Sequence, residues 1–580
     1  IKRQRDRLLT VKNSVLSRKA LKTKFPTELQ TLKVYLIVLA VLLLMLAAEF
    51  VILYIAGVNT TIGNPFLQAL PLYLALSAPV LFLGTWGNRV YLPLLILPIC
   101  LITVCGCLVS SRFHLQIDGD IILVILASSF QETEEFIQTF FGITPILFLM
   151  VLAIVTGYLL YRLFRSPMKR TRYTVILGVL LLLPYAISCT RYIVMGSAKR
   201  CFDRALCTRL ISEYFIFKKE FGVLKDIAEH PELPAGVRLK SPDANRILGV
   251  IVIGESANRN HMGIYGYSRA TDPEIRKAVP PVLPFDDVIS AYASTTWAIR
   301  YLFTMSEIGP ARQDSKCSLI DILKAGGYRI DMISNQYRWG EYDGPINLIF
   351  SHVDSRKYLQ EKTPKVLDDA LLTEMPEFPE KSNGPNLIIL HLMGSHAGYD
   401  SRYPTDWGPF TGMIDDANRH LVPQYAEILN KYDNSIAFTD RLLAGVIAKL
   451  KEQDRPTFLL YVSDHGEVID DGRTTLRSGK SRVPDAYEIP FIVWMSHEYR
   501  ETFPEFVREA QNNLHKPLQT DKAFWGMVAL LQLTWDDFPE EKNFFSNRYQ
   551  PQERFISDIR YEKRNIQPSN TQLNKRTDEK

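Results

Sequence analysis

The run Phe458–Glu467, FLLYVSDHGE, passes from apolar, β-forming residues directly into Asp464, His465, Gly466 and Glu467. A buried strand that delivers a carboxylate and an imidazole at its carboxyl end is a place to hold a metal ion. Two other apolar runs end the same way. ILGVIVIGES delivers Glu255, and NLIILHLMGSHAG delivers His391 and His396. Carboxylate and imidazole together suit Zn²⁺ or Mn²⁺, whereas Ca²⁺ and Mg²⁺ favour oxygen alone. Taken singly, Glu255 could cap a helix and His391 could be a core histidine. Three such strand ends in one chain make a metal centre the stronger reading.

Those residues need a scaffold that brings strand ends together. From about residue 246, β-rich runs recur: ILGVIVIG, YRIDMIS, INLIF, NLIILHLMG, TFLLYVS and IPFIVWMS. Helical stretches such as CSLIDILKAGG and PQYAEILNKYDNSIAFTDRLLAGVIAKL lie between several of them. Strand and helix in alternation predict a doubly wound, mainly parallel sheet, which collects ligands at the carboxyl ends of its strands.

The first third of the 580-residue chain is different. Five apolar segments begin at Val34, Phe66, Val90, Ile143 and Tyr173. Each runs to about the ~20 residues that cross a ~30 Å hydrocarbon core. The leader IKRQRDRLLTVKNSVLSRKALKTK and the loop YRLFRSPMKRTR are strongly basic. The loop from Ser110 to Gly142 carries Asp118, Asp120, Glu132, Glu134 and Glu135 against Arg112. Lys and Arg mark the cytoplasmic side, so the acidic loop and everything after the fifth span are expected outside. The expected divisions are a basic leader (1–33), a five-helix transmembrane domain (34–194), an amphipathic connector (195–245), an α/β domain (246–560) and a polar tail (561–580). Glu49 is the charged exception within the spans. The net charge of +5 is modest, and nothing points to nucleic acid.

With these motifs in view, the chain resembles the inner-membrane phosphoethanolamine transferases of Gram-negative bacteria, within the alkaline phosphatase and sulfatase superfamily. The likeness rests on GESANRNHMGIYGYSRATDPEI, HLMGSHAGYDSRYP, EILNKYDNSIAFTDRLL and YVSDHGE, and on five spans preceding one periplasmic domain. It implies a multi-pass enzyme of the bacterial inner membrane, with a periplasmic catalytic domain of alkaline phosphatase/sulfatase type. Its donor would be phosphatidylethanolamine, met among membrane lipids, and its acceptor an envelope glycolipid or glycan: lipid A, lipopolysaccharide core or periplasmic glucan. Aligning Phe303-Thr304 with the family's Phe-Ser puts the nucleophile at Thr295, with Thr296 as runner-up. The family's zinc ligands then fall on Glu255, Thr295, Asp464 and His465. His396 falls on a histidine that the family uses near the transferred phosphate or for a second metal, and His391, delivered by the same strand, is the other candidate substrate contact. SSFQETEEF is similar to the family's first periplasmic segment, where Thr133, with Glu134 or Glu135, would approach the ethanolamine head group. Zn²⁺ is the implied cofactor, ahead of Mn²⁺.

The chain departs from the pattern in three places. Ala291 and Tyr301 stand where the lipid A-modifying branch has cysteines, so that disulfide cannot form. The segment VIDDGRTTLRSGKSRVPDAYEIPF after SDHGE holds no histidine, where the family often has one; Arg477, Lys480 or Arg482 could hold phosphate oxygens instead, or His396 could act alone. His261 sits where many relatives have Asn, which leans toward the core- or glycan-modifying branches. The competing readings are a phosphoglycerol transferase or a sulfatase- or phosphodiesterase-type hydrolase of the same superfamily, and a non-enzymatic membrane protein. TTWAIR offers neither the Cys or Ser nor the Pro that a sulfatase needs.

Overall fold

The structure, a computed structural model, describes residues 2–55, 63–113, 144–195, 205–308, 315, 317–336, 345–360, 366–376, 384–469, 483–556 and 559–563. Thr133, Glu134, Glu135, Arg477, Lys480, Arg482 and the tail beyond 563 lie outside the described residues. The chain falls into two compact units, one of residues 1–126 and 133–218, the other of residues 219–580 with 127–132.

The first unit is helical: α1 (Lys2–Ile55), α2 (Gly63–Ser77), α3 (Thr85–Phe113), α4 (Thr144–Phe164), α5 (Arg172–Val194) and the start of α6 (Leu206–Glu229). Val34, Val38, Leu42, Leu46, Phe50 and Leu53 form a buried stripe along α1, while Leu36, Leu44 and Ile55 on its other faces are exposed. A helix apolar on every face suits lipid rather than water. Leu29–Ile55, Thr85–Ser110 and Arg172–Val194 are long and apolar enough to cross a membrane, and Phe66–Phe82 and Met150–Phe164 are shorter apolar helices. Glu49 is buried in α1, where its Oε1 accepts the Leu206 N–H at 3.2 Å. An acidic group at the amino end of α6 meets the positive end of that helix's dipole.

The second unit is built on a seven-stranded sheet: β1 (Leu248–Gly254), β2 (Leu283–Pro284), β3 (Arg329–Ser334), β4 (Ser355–Tyr358), β5 (Asn386–His391), β6 (Thr457–Ser463) and β7 (Phe491–Met495), in the order β2-β7-β6-β1-β5-β3-β4. β6, β1, β5, β3 and β4 run parallel, while β7 and β2 close one edge antiparallel. The sheet is therefore mainly parallel, as expected, with antiparallel pairing at one edge that makes it mixed. β1 shows why its sequence is a continuous apolar run: Ile251 and Ile253 pack into one core, Leu248, Val250 and Val252 into another. Strands buried on both faces need no polar alternation.

Four helices of this unit matter for the site: α7 (Thr295–Phe303), α8 (Leu319–Ala325), α9 (Pro345–Ile349) and α10 (Pro423–Lys451). α8 and α10 fall where the sequence predicts helices, and Ser318 closes a capping box with Asp321. INLIF, expected as a strand, is instead helical in α9. Proline opens this helix, and Ile349 and Phe350 turn into the core beside the sheet rather than pairing with it. Pro is well placed at a helix start, where its missing N–H costs nothing. The edge strand β4, SRKY, carries no apolar signal and escapes a pattern-based reading.

Candidate metal centre and nucleophile

Register brings the predicted strand ends side by side. Ile253 of β1 pairs with His391 of β5, and Gly254 pairs with Ser463 of β6. The next residues on β1 and β6, Glu255 and Asp464, therefore leave the sheet together, with His465 following. Glu255, Asp464 and His465 are all buried, and each offers a ligand atom within 4.8 Å of the others. His465 Nε2 lies 3.4 Å from Asp464 Oδ2 and 3.5 Å from Glu255 Oε1.

Surrounding bonds aim each group. His465 Nδ1 lies 2.9 Å from the Gly466 carbonyl and donates to it, which leaves Nε2 as the lone-pair nitrogen facing the carboxylates. Asp464 Oδ1 accepts the backbone N–H groups of Ser256 at 3.0 Å and His465 at 2.6 Å, while Oδ2 is buried with no hydrogen-bond partner among the described residues. Only glycine fits at Gly466, because a Cβ there would stand 2.2 Å from the Asp485 carbonyl oxygen. Gly394, at φ +52°, is likewise packed against the backbone of Glu255.

Thr295 completes the cluster. Its Oγ1 lies 3.1 Å from Glu255 Oε2 and 3.4 Å from His465 Nε2, on the first residue of α7. The amino end of a helix favours negative charge on an oxygen placed there. Thr296, the runner-up, is buried, with no such contact among the described residues. Tyr301 stacks on Tyr292 with ring centroids 5.3 Å apart, and both Ala291 and Tyr301 are buried.

Burial, and then the neighbouring Asp464 carboxylate, push Glu255 up to about 7. For His465, burial opposes the imidazolium, yet Asp464 and Glu255 outweigh it and hold its pKa above the ordinary value. Two buried carboxylates and an imidazole, with one carboxylate oxygen orphaned, are a set that a divalent cation satisfies. The residues fit zinc.

The other expected residues lie around this group. His391 is fully enclosed; its Nδ1 is 3.4 Å from Ser334 Oγ, and its Nε2 has no hydrogen-bond partner among the described residues. Burial brings its pKa down to about 4, against the pull of Glu255. His396 is not among the grouped ligands; its loop is held by Arg402, whose Nε donates to the His396 carbonyl. His261 Nδ1 bonds Asp433 at 2.9 Å, in a buried network with Arg269 and Tyr267. Sequence reading missed Asp368, whose carboxylate receives the N–H groups of Met393 and Gly394 and so shapes the loop after β5. KVLDDALLTE gives no hint of it.

Residues 248–524 match the sulfatase family, and this stretch holds the seven-stranded sheet and the Glu255, Asp464 and His465 group at its strand ends. The chain is similar to phosphoethanolamine transferases. It is 25% identical over 466 residues to phosphoethanolamine transferase EptC of Escherichia coli, covering 76% of this chain and 80% of that protein. The C-terminal periplasmic domain of Escherichia coli EptC, solved in complex with Zn, aligns at TM-score 0.51 and 26% identity over 56% of this chain and 92% of that one. The integral membrane lipooligosaccharide phosphoethanolamine transferase A of Neisseria meningitidis shares the fold over 88% of this chain and 97% of its own, with TM-score 0.62 and 19% identity.

Proposed function

We propose that this protein transfers phosphoethanolamine from phosphatidylethanolamine to an envelope glycolipid or glycan, through a covalent intermediate on Thr295. The observation that carries this reading is the Thr295 hydroxyl, held at the start of α7 within 3.1 Å of Glu255 and 3.4 Å of His465. A bound Zn²⁺ would supply Lewis acidity and lower the cost of the threonine alkoxide. Glu255, Asp464, His465 and Thr295 are the residues that would hold it.

Donor and acceptor are both bulky, so two displacements are easier to stage than one. In the first, Thr295 Oγ1 bonds to phosphorus, the phosphorus–glycerol bond breaks, and diacylglycerol leaves with a proton. In the second, an acceptor hydroxyl bonds to phosphorus, and Thr295 recovers its hydroxyl. His396 is the residue proposed to give the proton to glycerol and later take one from the acceptor. His391 lines the phosphate side, and Thr133 and Glu135 are the proposed contacts of the ethanolamine head group. A hydrolase would pass the phosphoryl group to water instead.

The membrane part fits this donor. α4 spans 21 residues, about 31 Å at 1.5 Å per residue, and α2 continues as apolar helix to Phe82. We read these two with the three longer helices as five inner-membrane spans, with the catalytic domain periplasmic. Incubating the purified protein with radiolabelled phosphatidylethanolamine and envelope glycolipid tests the reading. Label on the glycolipid supports it; release of free phosphoethanolamine alone would favour the hydrolase.

A further inference from the structure

Ser256 adopts φ +56°, the left-handed region that a serine seldom enters. A strained residue beside a metal group calls for a reason, and its bonds provide one. The Ser256 N–H donates to Asp464 Oδ1 at 3.0 Å, and its Oγ donates to Glu255 Oε1 at 2.8 Å. One residue thus grips both carboxylates of the centre. Its own carbonyl accepts the hydroxyl of Tyr432, reaching across from α10 at 2.7 Å, and that hydroxyl also accepts the Asn258 N–H. The strained turn is therefore fixed from outside by a buried helix.

The bonds select oxygens. Asp464 Oδ1 is taken by two N–H groups and Oδ2 is left open. Glu255 Oε2 faces Thr295, while Oε1, only 3.5 Å from His465 Nε2, is near enough to join it as a second ligand. The Ser256 hydroxyl competes for that oxygen. We propose that Ser256 is a positioning residue that limits Glu255 and Asp464 to one metal-facing oxygen each, and so tunes the centre to a low-coordinate ion such as Zn²⁺. This rests on the metal reading of the site. Ions that accept more oxygen ligands, Mn²⁺ among them, would gain when Oε1 is released.

Ser256→Gly and Ser256→Ala separate this role from a merely structural one. Both keep the N–H that holds Asp464, and both lose the hydroxyl. Glycine relieves the left-handed backbone and alanine does not. The metal-free full-length Gly variant should therefore melt at or above the unaltered protein, and the Ala variant below it. Zinc affinity, measured by chelator competition, should nevertheless fall in both by about 10–100-fold, the range for losing an outer partner of a ligand. Cobalt-loaded Gly variant should show weaker visible bands as the coordination number rises, and its preference for zinc over manganese should narrow. Unchanged zinc affinity and cobalt spectrum in the Gly variant, or affinities that follow melting temperature, would overturn the proposal. If the unaltered protein itself binds no zinc, the metal reading falls and this proposal with it.

Discussion

The hydroxyl of Thr295 and the carboxylate of Glu255 stand 3.1 Å apart, although 40 residues separate them in the chain. The distance is set by the sheet. Glu255 is fixed by leaving β1 beside Asp464, and Thr295 is fixed by opening α7 over that end. The proposed nucleophile and a proposed metal ligand thus share one corner of the scaffold, which is what a group transfer through a covalent intermediate needs.

Substituting the oxygen proposed to attack should be decisive. Thr295→Ser is expected to retain partial transfer, because its hydroxyl survives at the same helix position. Thr295→Ala should lose ~10²–10⁶-fold in rate, the scale of losing a catalytic group. Steady-state transfer rates check both. An active Ala variant would move the chemistry elsewhere.

Removing metal ligands should empty the site without unfolding the domain. Asp464→Asn and His465→Ala are each expected to lose most bound zinc and nearly all activity, with circular dichroism unchanged. Elemental analysis of the purified variants reads this out. Tight zinc and normal turnover in His465→Ala would place the centre at other residues.

Acid should weaken the domain partly through His391. Burial holds this imidazole neutral, with a folded pKa of about 4 against 6.5 when exposed. A depressed value means that the unfolded chain binds the proton more readily. The stability from this group is therefore full above pH 6.5 and lost as pH falls toward 4. At about 1.4 kcal/mol for each pH unit between the two values, the loss is of the order of 3 kcal/mol. His391→Asn should flatten the decline of the urea midpoint between pH 6.5 and 4. Parallel declines in the two proteins would contradict this.

Topology gives an independent check. Reporter fusions at Lys451 should report the periplasm, and fusions within Arg162–Arg172 the cytoplasm. A cytoplasmic Lys451 would remove the catalytic domain from its proposed acceptors.

The strand ends were legible because a buried parallel strand is a continuous apolar run and whatever polar group ends it stands out. Glu255, Asp464 and His465 could be picked out on that basis alone. Thr295 could not, since a strand-end hydroxyl is ordinary, and only resemblance singled it out. INLIF misled because four apolar residues out of five fit a strand or a short helix equally well, and Pro345 decided for helix. β7 was legible as a strand, while its antiparallel direction was not, since an apolar run carries no sign of antiparallel pairing. Ser256, Tyr432 and Asp368 were invisible because their roles are tertiary: each matters through a bond to a residue distant in sequence or through a left-handed backbone that no pattern announces.

The central claim is that Thr295 carries the phosphoethanolamine between donor and acceptor. Peptide mass spectrometry after incubating the purified protein with phosphatidylethanolamine alone tests it directly. The account predicts a phosphoethanolamine adduct on Thr295, within the peptide from Ser294 to Arg300, and its disappearance when acceptor is added. An adduct on Thr296 would shift the nucleophile by one residue, and transfer that proceeds with no adduct on either would contradict the covalent mechanism.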